Sequence, residues 1–440
     1  MDSGVEKRTV SKVFWRLMPF LGLLYIVAFL DRVNVGYAAL SMNKDLGFSS
    51  AVYGLGAGIF FIGYFIMEVP GNLIMTKVGA RMWIARILIT WGIISGLTAW
   101  VSTPMQFYTV RFFLGVAEAS FFPGIIYYLS TWCRSQDQAK AVAFFMMSLP
   151  ICNIVGAPVS TYILGLTWMG WAGWKWLFIM EALPAIILGI ITPYYLTNKP
   201  EDAAWLDNEE RDWLVNALAV ERAAKLNRKT YTVMQAFADR DVLTLSGIYF
   251  TWVCGFYGVT MFLPTLVKGL SATLTNQMVG FLVMVPYIFA FFTMYLIGRH
   301  SDKTGERRYH TIAGMLIGAV GLTGSVFLAD ISITVSMVFF TLSVMGIYSS
   351  FGPFWSIPSS FLTTTAAAGA IAMINSIGNL GGFVGPYAMG FIRDATGSFA
   401  GGTIFLVACM LAAAVLLMVL RKARESAPDG ANLSPSEQAS

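Results

Sequence analysis

Apolar runs long enough to cross a bilayer alternate with short polar clusters from near residue 14 to near residue 420. Read between those clusters, the runs predict twelve helices starting near residues 14, 51, 81, 105, 138, 174, 241, 276, 310, 331, 365 and 399. Each has room for the roughly 20 apolar residues that a bilayer crossing takes. One long polar interruption, 197–240, separates six helices from six. Within it the spacing of Trp205, Leu206, Trp213, Leu214 and Leu218 predicts short amphipathic helices lying on the membrane surface. The expected organisation is all-α and polytopic. Residues 1–196 form a six-helix bundle with a preceding polar tail, 197–240 a linker, 241–420 a second bundle and 421–440 a tail.

Composition agrees with that pattern and removes other classes. The chain is 57% hydrophobic and 12% charged, against about 45–50% and about 25% for soluble proteins. Twelve spans and their loops leave no room for a soluble domain. The net charge of +5 is spread over short loops rather than collected on one face, which argues against nucleic acid as a partner. Cys133, Cys152, Cys254 and Cys409 lie in or beside apolar runs without CxxC spacing, and His300 and His310 are the two histidines. Neither a disulfide framework nor a metal site is expected. The polar start MDSGVEKRTVSKVFWR precedes an apolar run too long for a signal-peptide core, so no cleaved leader is expected.

Orientation follows from the basic side chains. With the N-terminus in the cytoplasm, 23 of the 29 Lys and Arg fall on the inner side, and Lys44, Lys175, Lys268 and Arg393 on the outer side. Arg32 and Arg111 lie within predicted helices. Both termini are therefore expected in the cytoplasm.

The halves repeat. Gly79 of GARMW aligns with Gly305 of TGERR at an offset of 226, Ala157-Pro158 with Gly385-Pro386 at 228, and FFPG at 121–124 with FGPF at 351–354 at 230. A duplicated unit of six helices, an even number, keeps one orientation in both copies, which are then related by an axis along the membrane normal. Such a pair encloses a midplane cavity that rocking opens to either side.

Six ionisable residues fall inside predicted spans, all in the first half: Asp31, Arg32, Glu68, Arg111, Glu118 and Glu181. Charge inside a bilayer costs several kcal/mol unless paired or hydrated, so each is a functional candidate, against the plainer reading that they clamp helices together. Adjacent helical residues diverge by about 100°. Arg32 is accordingly read as facing the cavity, where its planar guanidinium matches a carboxylate, and Asp31 as turned toward the fourth helix. Arg111 and Glu118 share one stripe of the fourth helix, with Gly115 between them for close helix approach. A carboxyl in low dielectric near an arginine is suited to binding and releasing a proton as the cavity opens and closes. Glu68, next to Pro70 near the inner end of its helix, and Glu181, with no evident cation nearby, are left without a role.

The second half offers uncharged groups with aromatic walls: Tyr348, Ser349, Ser350, Trp355, Asn375, Ser376 and Asn379. These suit substrate hydroxyls and a carbon skeleton, although Ser and Asn also simply bridge helices. The Gly-rich 378–390 segment is followed by no Lys-Ser/Thr and preceded by no soluble strand, so no nucleotide site is expected and a gradient must drive any transport. No Ser-His or paired-His arrangement suggests an enzyme, and no cofactor is called for.

At LDRVNVGYAAL, GIFFIGYFIMEVPGNLI, RFFLGVAEASFFPG, GWKWLFIMEALPAIILG and HSDKTGERR the sequence resembles the major facilitator superfamily, and within it the anion:cation symporters of organic acids, over about residues 10–422. The resemblance implies uptake of an organic anion with protons across a bacterial-type cytoplasmic (inner) membrane. By analogy to sugar-acid members, Arg32, Tyr64, Trp355 and Asn375 look like substrate ligands, Asp31 and Glu118 like protonation sites, and Arg111 like the partner of the helix-four carboxyl. The gating loop of the superfamily is matched at Asp302 and Arg307, while Thr76 stands at the corresponding first-half acid position, so no gating ion pair is implied there.

MNKDLG and Glu68-Val69-Pro70 resemble the tartrate-type branch, whose substrates are small hydroxy-dicarboxylates. The aromatics around 121–128 and 354–355 suit an aromatic acid such as phthalate or hydroxyphenylacetate equally well. The leading expectation is a proton-coupled importer of a small carboxylate, whose partners are that carboxylate, protons and the bilayer, with no obligatory protein partner. A proton/drug antiporter is the alternative, and a buried Arg32 counts against it. A membrane sensor that binds without turnover is a third reading, less compatible with Pro and Gly in the moving helices.

Overall fold

A computed structural model describes residues 3–226, 239–328, 331–361 and 364–420. The chain is a helical membrane protein of twelve spans in two repeats of six. Eight spans are single helices: α1 (Ser3–Leu46), α2 (Ser50–Val78), α3 (Ala80–Leu97), α8 (Gly173–Tyr195), α10 (Arg240–Lys268), α11 (Asn276–Thr304), α12 (Arg308–Phe327) and α17 (Ala400–Val419). The other four are each made of two helices. These are α4 (Pro104–Glu118) with α5 (Phe121–Trp132), α6 (Ser135–Met146) with α7 (Ser148–Ile163), α13 (Ile333–Ser349) with α14 (Phe351–Phe361), and α15 (Thr364–Asn379) with α16 (Gly381–Thr396). Among the described residues, eleven stretches are long and apolar enough to cross a membrane, and α15 with α16 completes the set.

The interrupted spans are the fourth and fifth of each repeat. Ser120 stands at one break and Ser350 at its counterpart, Met147 and Leu380 at the other two. At the first break Ser120 takes φ 72°, a left-handed conformation that an L-residue holds at a cost of about 1–2 kcal/mol, and its hydroxyl donates to the Glu68 carbonyl at 3.0 Å. The chain therefore bends just after Glu118.

The first helix begins eleven residues earlier than its apolar run, at Ser3. The polar extension stays helical because the linker holds it. Arg8 and Lys12 donate to the buried Glu210 carboxylate of α9 (Asn208–Leu226) at 3.0 and 2.6 Å. The amphipathic stripe read from the linker sequence is buried at Leu206, Leu214 and Leu218, with Trp205 stacked on Trp132.

The halves meet most extensively along three pairs of helices, α2 with α16, α7 with α11, and α1 with α10, and more narrowly along α2 with α15. The first two pairs join the second and eleventh spans and the fifth and eighth, positions that a two-fold repeat exchanges. Close approach there needs residues without Cβ, since a methyl on Gly54 would strike the Pro386 carbonyl. Outward-facing Ile66, Leu73, Ile187, Phe281, Phe292 and Val415 stay exposed, as lipid contact requires.

Candidate functional site

Arg32 and Glu118 form the centre of the site. Arg32 projects from α1 between the halves. Its Nη2 pairs with Glu118 Oε1 of α4, and its Nη1 donates to the hydroxyl of Tyr257 on α10 at 2.8 Å. The phenyl rings of Phe60 and Phe29 and the Tyr64 ring lie 5.2, 5.9 and 5.4 Å from its guanidinium carbon, where ring faces favour a cation. The pair is nearly dry: Arg32 is 7% exposed and Glu118 1%. Its hydrogen bonding is also incomplete, since Arg32 Nε and Glu118 Oε2 are buried without a partner.

A cavity adjoins the pair. Arg32, Tyr64, Trp355 and Asn375, the four residues read as substrate ligands, all line it, together with Tyr249 and Tyr257. The cavity is narrow, about 30 Å³, room for two or three waters. The cavity is lined by aromatic rings, one cation and two amides, a composition typical of small-molecule sites.

Asp31 faces away from the cavity, and toward the third span rather than the fourth. It accepts from Trp91 Nε1 at 2.6 Å and Ser95 Oγ at 3.0 Å, both on α3, and from Asn34 at 3.3 Å. The expectation for Asp31 is corrected by helix geometry: once Arg32 takes the side of α4, its neighbour is rotated about 100° onto α3. Arg111 differs from expectation as well. Its guanidinium donates to the carbonyls of Gly56 at 3.3 Å and Ala57 at 3.4 Å on α2 and does not pair with Glu118, whose partner is Arg32. Seven residues amount to about 10 Å of helix rise. The α2 backbone meanwhile lies against α4, where a Cβ on Gly115 would collide with the Phe60 carbonyl. The α2 carbonyls are the nearer acceptors.

Glu68 is not at a hydrated inner end. It is 3% exposed, and it accepts from Asn375 Nδ2 and Ser376 Oγ of α15, each at 2.6 Å, joining first half to second. Glu181 accepts from Ser160 Oγ at 2.6 Å, its other oxygen buried without a partner.

Asp302 and Arg307 lie apart from the cavity, at the turn between α11 and α12, and pair at 2.5 Å. Beside them Glu306 accepts from the backbone N–H groups of Tyr309 at 2.6 Å and His310 at 3.1 Å and from the His310 ring at 2.6 Å. Partial burial opposes ionisation there, yet these donors at the start of α12 hold the Glu306 carboxyl below the usual range.

Sequence reading missed Tyr257, Trp91 and Ser95. Their signal is faint: polar-tipped side chains scattered among apolar neighbours. Tyr257 belongs to α10, where nearly all residues from Trp252 to Leu263 are buried.

The profile of the Major Facilitator Superfamily matches residues 21–386, so the chain belongs to that superfamily. A protein of Agrobacterium vitis named for tartrate transport is 48% identical over 99% of both chains. A quinolone resistance transporter of Acinetobacter baumannii is 38% identical over 94% of this chain and 95% of its own. Among solved structures, a bacterial homologue of the human lysosomal transporter Spinster superposes with a TM-score of 0.74, at 16% identity, over 94% of this chain and 97% of that one. The chain is a membrane-embedded secondary transporter of small molecules and not an enzyme.

Proposed function

We propose that this transporter imports a small organic carboxylate together with protons, a tartrate-like hydroxy-dicarboxylate before all others. The observation that carries the reading is the cavity-lining Arg32, a buried cation held by Glu118 with one guanidinium nitrogen unpartnered. A carboxylate substrate offers that fork a planar two-oxygen partner. To receive it, Arg32 must leave Glu118, and a carboxylate abandoned in this dry site is stabilised by taking a proton. Uptake of the anion and of a proton are thereby the same event. Asp31 is the second protonation site and Arg111 the fixed positive charge on the Glu118 helix. Tyr64, Trp355 and Asn375 complete the substrate pocket, and the Asp302–Arg307 loop gates from outside it.

The two six-helix units, 1–196 and 241–420 with the linker between them, rock about this cavity. The basic residues support cytoplasmic termini and a bacterial inner membrane. The name of the Agrobacterium vitis relative supports tartrate. A second substrate reading, an aromatic acid, is favoured by the rings of Tyr249, Tyr257 and Trp355 in the cavity wall. Export of a drug in exchange for protons, a reading prompted by the quinolone resistance relative, gives the buried cation no task, since an uncharged amphiphile has no carboxylate to draw Arg32 away from Glu118.

The test is uptake of labelled tartrate into proteoliposomes with and without an inward proton gradient, competed by phthalate, hydroxyphenylacetate, galactonate and a neutral sugar. Gradient-stimulated uptake blocked by acids alone is expected. Absence of any acid-dependent uptake or exchange overturns the proposal.

A further inference from the structure

The cavity has two sets of hydrogen-bond donors, and each is occupied by a carboxylate of the protein's own. Arg32 holds Glu118. Asn375 and Ser376, adjacent on α15, hold the two oxygens of Glu68, one each at 2.6 Å. The second arrangement is a two-pronged carboxylate cradle built from neutral donors, with no cation among its hydrogen-bond partners. Glu68 is one helical turn beyond Tyr64 on the same face of α2, and Asn375 one turn before Asn379 on α15; Tyr64, Asn375 and Asn379 all line the cavity. The cradle thus lies at the cavity wall, and the anion in it arrives from the opposite half of the protein. That arrangement links the halves directly.

We propose that Asn375 and Ser376 form a second carboxylate-receiving station, which Glu68 occupies until substrate displaces it, so that the transported anion is a dicarboxylate bridging Arg32 of the first half and Asn375 with Ser376 of the second. The inference rests on the anion-transport reading above and adds to it the place of the second carboxylate. A substrate bound in this way replaces the Glu68 link between the halves with one of its own. Its first carboxylate displaces Glu118 from Arg32, its second displaces Glu68 from the cradle, and the halves stay bridged throughout. A monocarboxylate can displace only one resident anion.

The discriminating probe pair is tartrate and threonate, in which a hydroxymethyl group replaces one carboxylate of tartrate. Both are titrated as competitors of labelled-tartrate exchange in proteoliposomes of the wild type, Glu68→Gln and Ser376→Ala. In the wild type tartrate is expected to compete about tenfold better than threonate, the value of a hydrogen-bonded charge. Glu68→Gln keeps the shape but removes the resident charge, and should strengthen tartrate about fivefold or more while leaving threonate within about twofold. Ser376→Ala removes a donor without altering any charge and should shrink the tartrate preference severalfold. If Glu68→Gln does not fold, the wild-type ratio and Ser376→Ala decide. Equal competition by the two acids in the wild type, or equal shifts of both in the variants, overturns the second station while anion transport stands. No exchange of either acid by the wild type overturns both.

Discussion

At Arg32 the chemistry comes down to which carboxylate a single guanidinium holds. Glu118→Gln keeps the size of the side chain and a hydrogen-bond acceptor but removes the proton-binding charge. Stimulation of uptake by an inward proton gradient should fall severalfold, leaving only the share carried through Asp31, as measured in proteoliposomes of varied internal pH. Arg32→Lys retains the charge without the fork, and a point charge on a flexible stem cannot meet Tyr257 and a carboxylate together. We expect the KM for the acid to rise at least tenfold, an amount equal to the loss of about one charge-assisted hydrogen bond. Much of this site was legible in the sequence, because ionisable residues inside apolar runs are few and each must be accounted for. That Arg32 faces the cavity could be read from its residue type. Which carboxylate it meets could not: Arg32 and Glu118 are 86 residues apart, and their pairing depends on the rotation of α1 against α4, which apolar periodicity does not determine when a helix is buried on most sides. For the same reason Asp31 bonds to α3 rather than to the fourth span, and Glu68, which its flanking sequence assigns to an inner end, is bonded to Asn375 across the molecule.

Among the elements, the interrupted spans have the clearest consequences. Apolar runs announced twelve spans, and the observed starts of all but the first lie within three residues of those expected. The first starts early because the charge pattern that makes Arg8 and Lys12 look like a tail is what binds them to Glu210. The breaks were signalled only as Pro and Gly in the fourth, fifth, tenth and eleventh spans. Ser120 is a measurable strain point. Ser120→Val places a β-branched residue at φ 72° and removes the hydroxyl that reaches the Glu68 carbonyl, and it should lower the thermal midpoint by several degrees in detergent. Ser120→Gly, which relieves the backbone but loses the same hydrogen bond, should cost less. At the turn before α12, the Glu306 carboxyl titrates lower in the folded protein than in the unfolded chain. Its contribution is therefore complete above the unfolded value and is lost as pH falls through the folded one. Glu306→Gln should remove that part of the acid sensitivity of unfolding and, for a half-buried group still screened by solvent, cost about 1 kcal/mol or less.

Over the whole molecule, the end at which α2 begins is sealed between the halves. Asp394 of α16 accepts from the backbone N–H groups of Ser50 at 3.1 Å and Ala51 at 2.7 Å, capping α2 from the other repeat. Opening that end must break this cap along with the tight α2–α16 contact. Asp394→Ala should raise the reactivity of a cysteine placed at Ser50 toward a membrane-impermeant thiol reagent in a cysteine-free background, and unchanged labelling would show that the cap does not hold this end shut.

The buried Arg32–Glu118 pair also bears on energy supply. Two opposite charges side by side carry no net charge, whereas a lone charge crossing a membrane exchanges about 2.3 kcal/mol with each 100 mV of potential. On the proposed mechanism Arg32 keeps either Glu118 or an anion beside a protonated Glu118, and both states bring the same zero to the electric field from this pair. Voltage then has no hold on Arg32 in either direction of travel, and any electrical current that accompanies transport must come from the cargo's other charges and the protons taken up elsewhere.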